Sequence, residues 1–579
     1  MNHNLHDLME YLDNSQEKIS DHCIHSRIKE ASDNDGSLDS VAERIAFGFI
    51  EDYADTASGW GTYFGPMMVW TDDGITYESP SIKLVTKEIL DYWTARAKES
   101  NHPLLKARYY GLVWDFTKKV TNQKPDYSIA TEYIKSLIDV INKDLCEHPS
   151  ESIKKVTRAY KVACSINNND LINACIDSAI NLEDRIAEDD KAGLWGFCFD
   201  LFVLNKSKNL SQAQEFKLIE DLELRLARVS RNQSPWGTES AGIPLAKYYR
   251  TKGMEGETRR VIEVVGKSFE DSCEGLAPIQ KSSILQHTHD IYLSYNMKID
   301  AERVAMKITE VGPDVVDSMQ EFSHATRIPK EKLEAYLESI TSGGLESALN
   351  KIAYHFIPHK EQLEQQVLDL AKKHPLSYLF SKTLQDHKGR PVATIGKIED
   401  DMEGNIIHQL SQNMSIHSFF LNHSFSRLSE DYNLDADSLT NFIFESPLFE
   451  ESKRELIQTG LLSYLDKNYI SAIHILTPQT EAAIRNLVEL MGGATLKKNR
   501  QNGLQLRTFD DLLRDKIVEE CMGTDTTFYF RVLLTDQRGW NLRNDVCHGI
   551  SPSNMFNYST ADRIVHTLLC LSQVRESEK

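Results

Sequence analysis

No stretch of this chain is apolar over the roughly 18–20 residues that a membrane-spanning helix needs. The opening residues, Met1-Asn2-His3-Asn4-Leu5, lack the basic and apolar regions of a secretory signal. No Cys-x-x-Cys pair occurs. The nine cysteines are scattered and odd in number, which points to reduced thiols in a cytoplasmic protein. Metal spacing is missing too. His408, His417 and His423 contain no i, i+4 pair, and His287-Thr288-His289 is a weak signal. Neither a metal nor a cofactor is expected, and no membrane partner. A basic excess is also lacking. The net charge of −21 argues against a chain that coats nucleic acid along its whole length.

What is present is length and helical periodicity. A chain of 579 residues, 41% hydrophobic and 26% charged, is expected to form two to four soluble domains. The negative charge is unevenly spread. From residue 451 onward there are 16 Lys/Arg and 16 Asp/Glu, so the whole excess lies upstream, where 49 basic residues face 70 acidic ones. A neutral segment can still present a local basic cleft.

Residues 1–30 read as helical, and 31–37 as an acidic Gly/Ser loop. Residues 56–80, with Trp60, Tyr63, Phe64, Pro66 and Trp70, read as an ordered irregular segment that packs its aromatics. Arg96, Arg108, Tyr109 and Trp114 follow on two helical stretches around Pro103, where aromatic packing is favoured over a cation–aromatic patch. From about 128 to 385 the helical period dominates, with short turns between segments. That spacing predicts stacked helical hairpins, an α-solenoid without a named repeat. Residues 388–404 carry Gly389, Pro391, Gly396 and an acidic run, and are expected to be a boundary or hinge. The expected division is therefore an N-terminal region over 1–125, a solenoid over 126–388, connecting helices over 389–454 and a terminal bundle over 455–579. The fold class is all-α.

Chemistry concentrates in the last fifth. Residues 464–490 form the clearest helix, with Tyr469, Ile473, Leu476, Ala483, Leu487 and Leu490 on one face and a kink expected near Pro478. His474, Glu481 and Arg485 share a neighbouring face. Lys497, Lys498 and Arg500 then make the most basic short run of the region, in an expected loop. A helix is expected over 507–521. The next begins with Thr524 as N-cap and Asp525 in the first turn, and a last one covers 559–574 with Ile564, Val565, Leu568 and Leu569 inward. Before that last helix stands Arg543-Asn544-Asp545-Val546-Cys547-His548-Gly549. A fixed cation and a side chain that titrates near neutrality stand five positions apart, which are two tools for cleaving RNA.

The spacing of Arg543 and His548, the polar Asn544 after the arginine, the ending Val546-Cys547-His548-Gly549 and the upstream helix bearing His474 and Glu481 together resemble the HEPN superfamily of helical-bundle domains, over roughly residues 455–575. The resemblance implies an endoribonuclease that needs no metal, working as a symmetric homodimer through the C-terminal bundle with two motifs facing one cleft. It makes Arg543, Asn544 and His548 the candidate catalytic residues. Glu481, His474 and Arg485 support them, and Lys497, Lys498 and Arg500 are candidate RNA contacts. Similar domain pairings imply antiviral defence or a toxin-like stress response, with a protein trigger acting on the acidic scaffold. The alternative is a non-catalytic helical scaffold whose terminal bundle dimerises or binds RNA.

Overall fold

A computed structural model of the chain describes residues 3–15, 17–32, 35–53, 60–72, 75–321 and 325–575. Parts of the loop expected at 31–37 and of the aromatic segment expected at 56–80, namely 33–34, 56–59 and 73–74, lie outside the described residues. The fold is all-α and solenoid-like, as expected, with three small two-stranded antiparallel hairpins among the described residues. No helix among them is long and apolar enough to cross a membrane. Compactness divides the chain once, between Lys307 and Ile308.

The first unit holds α1 (His3–Asn14), α2 (Asp21–Ser32), α3 (Leu38–Gly48), the hairpin β1 (Met68–Asp72) and β2 (Ile75–Ser79), α4 (Lys87–Glu99), α5 (Pro103–Thr121), α6 (Tyr127–Asn142), α7 (Pro149–Ser165), α8 (Asn169–Ile186), α9 (Gln212–Arg231), α10 (Pro235–Thr251), α11 (Glu255–Asp271) and α12 (Pro278–Ser294). From α4 on, packing is chiefly between helices adjacent in sequence, the one-dimensional logic of a solenoid. Local chemistry sets the starts. Pro103, Pro149, Pro235 and Pro278 each open a helix, where the missing N–H costs nothing. Buried stripes such as Ala130, Tyr133, Ile134, Leu137, Val140 and Ile141 of α6 supply the contact face. Gly111 lets α5 approach α6, since a Cβ there would lie 2.7 Å from the Tyr133 ring. Around Pro103 the cation–aromatic contacts are real: the buried Arg108 guanidinium lies 4.8 Å from the Phe64 ring centre, and Arg96 lies 5.6 Å from that of Tyr109.

α13 (Lys298–Ser318) carries the division between the units. The second unit continues with α14 (Lys330–Thr341), α15 (Leu345–His355), α16 (Lys360–Lys373), α17 (Leu376–Leu379), β3 (Lys382–Gln385), β4 (Pro391–Ile395), α18 (Met402–Tyr432), α19 (Ala436–Ile443), α20 (Arg454–Leu465), α21 (Tyr469–Leu490), β5 (Leu496–Lys498), β6 (Leu504–Leu506), α22 (Phe509–Leu513), α23 (Lys516–Met522), α24 (Thr524–Leu534), α25 (Leu542–Cys547) and α26 (Tyr558–Leu571).

Four local expectations need correction here. The expected hinge holds a folded hairpin, β3–β4. Asp386 closes its turn by accepting from the Lys388 and Arg390 amides at 2.9 Å, and Gly389 presses so closely on Gly312 that neither position has room for a Cβ. The loop with Lys497 is the hairpin β5–β6. The helix expected over 507–521 is two short helices, because the Asp515 carboxylate accepts from the Ile517 amide and starts α23 afresh. Thr524 is not the N-cap. Gly523 is, and Thr524 is the first helical residue, its hydroxyl donating to Glu519. The long helix α21 does run through Pro478.

The last helix departs most from the amphipathic expectation. Every residue of α26 from Thr560 to Leu571 is buried, including Asp562, Arg563 and His566. The reason is that α15, α18, α19 and α21 all pack on it. One hydrophobic core thus runs from Ile340 to Leu571, and residues 455–579 share it with α14–α19 rather than owning it.

Candidate functional site

The motif is set by a locked turn. After α24 the Asp536 carboxylate accepts from the Arg538 amide and its Nε, both at 3.0 Å. Gly539 passes so close to the Val532 carbonyl that a Cβ would stand 2.2 Å from that oxygen. The Trp540 amide donates to the same carbonyl at 2.9 Å, and its indole N–H reaches the Ser411 carbonyl of α18 at 3.2 Å. Asn541 then takes a left-handed conformation, φ 49°, which asparagine tolerates better than most residues. From there α25 rises with Arg543 and Asn544 in its first turn and His548 at its C-cap.

Arg543 points at α21. Its Nη2 donates to Glu481 Oε2 at 2.5 Å, and the other oxygen of Glu481 accepts from Arg485 Nη2 at 2.6 Å. Arg485 also donates to the Arg507 carbonyl at 3.1 Å. One carboxylate therefore holds two guanidinium groups, and the trio carries a surplus positive charge. Nη1 of Arg485 and Nε of Arg543 are buried without an acceptor. Cys547 stands in the fields of Arg543 and Glu481, with burial pushing its thiol up.

The structure thus brings Arg543, Glu481 and Arg485 together and places the other expected residues differently. Asn544 faces the scaffold. Its amide donates to Asn541 Oδ1 at 2.8 Å and the Thr535 carbonyl at 3.3 Å, while its oxygen accepts from Arg543 Nη1 at 3.2 Å. Its oxygen is thus engaged by the arginine and its amide by the preceding turn. His548 is exposed, and its side chain appears in no hydrogen bond among the described residues. His474 does not touch the motif. It stacks on Phe556 with ring centres 4.8 Å apart, and its Nδ1 meets the Ile470 carbonyl at 2.8 Å. Lys497 is taken by Asp511 at 2.5 Å, whereas Lys498 and Arg500 stay exposed on the β5–β6 hairpin. None of the three contacts Arg543 or His548.

Sequence reasoning missed the acidic side of the site. Asp545 accepts from Asn541 Nδ2 at 2.8 Å and is half-buried. Burial raises its carboxyl, Asp386 adds to that rise, and His387 and His548 oppose it. The exposed His387 at the tip of the β3–β4 hairpin thus lies in the electrostatic surroundings of the same carboxylate as His548. It lies more than 150 residues upstream, so no local spacing could have found it. Among the described residues no group of three or more His, Cys, Asp or Glu could hold a metal ion. No protein-family model matches this chain, and no curated protein does.

Proposed function

We propose that the second unit cleaves RNA, with Arg543 and His548 as its working pair. The observation that carries this reading is the charge surplus of the Arg543–Glu481–Arg485 cluster beside an exposed histidine on the same short helix. Arginine stays protonated and offers a fork to two non-bridging phosphate oxygens. Glu481 sets the angle of that fork from one side and Asn544 from the other. Histidine, with an ordinary value of about 6.5, can take or give a proton at cellular pH.

The RNA carries its own nucleophile. The 2′-hydroxyl loses its proton and attacks phosphorus while the bond to the 5′-oxygen breaks and that oxygen gains a proton. The products are a 2′,3′-cyclic phosphate and a 5′-hydroxyl. DNA lacks the 2′-hydroxyl and is spared. This is the chemistry that the HEPN resemblance implies. The same resemblance supports a homodimer with two motifs on one cleft, a protein trigger and a role in antiviral defence or stress-induced arrest, all of which belong to this proposal.

The test is the purified full chain with structured and single-stranded RNA and a DNA copy, with and without EDTA. RNA-only cleavage that survives chelation, yields cyclic-phosphate ends and vanishes in His548→Ala is the expected result. Cutting of DNA, or cleavage unchanged in His548→Ala, overturns it. A second reading, a non-catalytic scaffold, is favoured by the fold contacts of Arg543 and Asn544. It predicts no cleavage at all, with Arg543→Ala felt only in stability or self-association.

A further inference from the structure

A separate feature of the second unit is a cleft of about 530 Å³ between α15, α16, α18 and α26. That is within the range of small-molecule sites, about 300–1,000 Å³. Its lining contains Arg563, His355, His417 and His359 and no carboxylate of its own, although His359 Nδ1 meets Asp525 at 3.0 Å. Amides from Gln362, Gln366 and Asn413 complete the polar part.

Arg563 is the unusual member. It is 1% exposed. Its Nη2 donates to the Met414 carbonyl at 2.9 Å and its Nη1 to the Tyr529 hydroxyl at 3.4 Å, while Nε has no acceptor. The adjacent Asp562 does not ion-pair with it, because its oxygens accept from Tyr464 at 2.7 Å and Asn422 at 2.9 Å. A buried guanidinium held by neutral acceptors and facing a cleft without acids is a cation short of an anion. His417 lies in the fields of Arg563 and His355, and burial holds both imidazoles below the usual histidine range. An anion in the cleft would reverse that pressure and recruit both rings. A neighbouring cavity of about 1,300 Å³ shares Tyr354, His355, Ile357 and His359 with the cleft; its own lining adds Glu346, Asp525 and Lys351, so it suits the neutral organic part of a ligand and not its charged end.

From this arrangement we propose that the cleft binds a small organic phosphate, a phosphomonoester seated on Arg563, His417 and His355 with its organic part reaching towards Tyr354. A phosphomonoester fits better than a carboxylate because it brings close to two negative charges to one guanidinium and two imidazoles able to take up protons. The proposal does not rest on RNA cleavage.

Isothermal titration of the full chain with AMP, adenosine, inorganic phosphate and acetate at neutral pH tests it. AMP and phosphate are expected to bind and to compete, AMP the tighter, with adenosine and acetate far weaker. Removing one donor to a charged group costs about tenfold in affinity, the effect expected for His417→Gln and for His355→Gln. Both rings are partly open to solvent, and His417→Gln is the cleaner variant because His355 Nε2 also meets the Tyr336 hydroxyl at 2.9 Å; Arg563→Met removes buried hydrogen bonds as well and serves only as a supplement. His548→Ala is expected to bind AMP like the wild type, which separates this site from the motif. Absence of phosphate and AMP binding at millimolar concentration, or unchanged affinity in both histidine variants, overturns the proposal.

Discussion

Two glutamates, one in each unit, gather arginine in opposite ways. Glu43 of α3 is fully buried and spends both oxygens. Oε1 accepts from Tyr92 at 2.8 Å and Arg96 Nε at 3.2 Å, and Oε2 accepts from Tyr109 at 2.6 Å. One negative charge meets one guanidinium and two neutral hydroxyls, and that guanidinium also lies 3.7 Å from Glu99, so no positive charge is left over. Glu481 is 16% exposed and meets two guanidinium groups whose remaining N–H donors include orphans. The first cluster is closed by its own partners and serves the fold. The second carries unspent positive charge at the edge of the protein. A charged residue in a helical scaffold says little about function until its partners are counted.

The largest effect that would sharpen this contrast is at Glu43. Glu43→Ala leaves the buried Tyr109 and the part-buried Arg96 and Tyr92 without their shared acceptor, and losing a buried charge with three donors on it costs about 2–4 kcal/mol. Hydrogen exchange over α3–α5 should accelerate strongly while α21 and α25 keep their protection. Equal protection of α3–α5 in the variant would break the comparison.

The same contrast runs between two histidines of the second unit. His566 is fully buried on α26, its Nδ1 2.9 Å from the Tyr529 hydroxyl and its Nε2 3.2 Å from the Ile352 carbonyl. Burial, and next the charge of Arg563, push its imidazole down to about 3. The folded ring stays neutral while the unfolded one protonates near 6.5. Its contribution to stability is therefore present above about pH 6.5 and lost as pH falls towards 3. Denaturant unfolding from pH 6.5 to 4.5 should show His566→Gln losing less stability than wild type, by about 2 kcal/mol. Parallel curves would refute the assignment.

At Glu481 the effect is smaller. Glu481→Ala frees two part-buried guanidiniums that keep other acceptors, so a cost of about 1–2 kcal/mol is expected, with partial loss of RNA cleavage because Arg543 loses its brace. Glu481→Gln keeps one acceptor oxygen and should restore part of the activity. Full activity in Glu481→Ala would show that Arg543 needs no brace.

The smallest structural effect belongs to His548. Its removal should change stability by no more than about 0.5 kcal/mol, as for other exposed positions, while abolishing cleavage. Arg543→Ala should cost more, about 1–2 kcal/mol, since its ion pair and its bond to Asn544 are lost. Matching thermal shifts in the two variants would remove the distinction between the braced arginine and the free histidine.

The helical period was enough to read the fold class, because a buried stripe at three-four spacing is a local signal that survives whatever the helix packs against. The Glu481–Arg485 pair was legible for the same reason, one turn apart on one helix. The three hairpins were not. β5 and β6 are three residues each, too short for a period-two pattern, and β3–β4 is fixed by Asp386 and by the approach of Gly389 to Gly312. Nor could the sequence say that Asn544 turns inward, since its partners are a carbonyl nine residues back and a side chain in a left-handed turn.

By itself, then, the sequence determined the helical class, the long helix that carries Glu481 and Arg485, and the presence of an arginine and a histidine five positions apart before the last helix. Those properties depend on residues close together in the chain. Only the tertiary structure decided that α26 lies at the centre of a core reaching back to Ile340, that Glu481 braces Arg543, that His387 stands near Asp545, and that Arg563 faces a cleft without acids. Each of these joins groups on different elements, and burial, charge balance and spare hydrogen-bonding capacity exist only once those elements have packed.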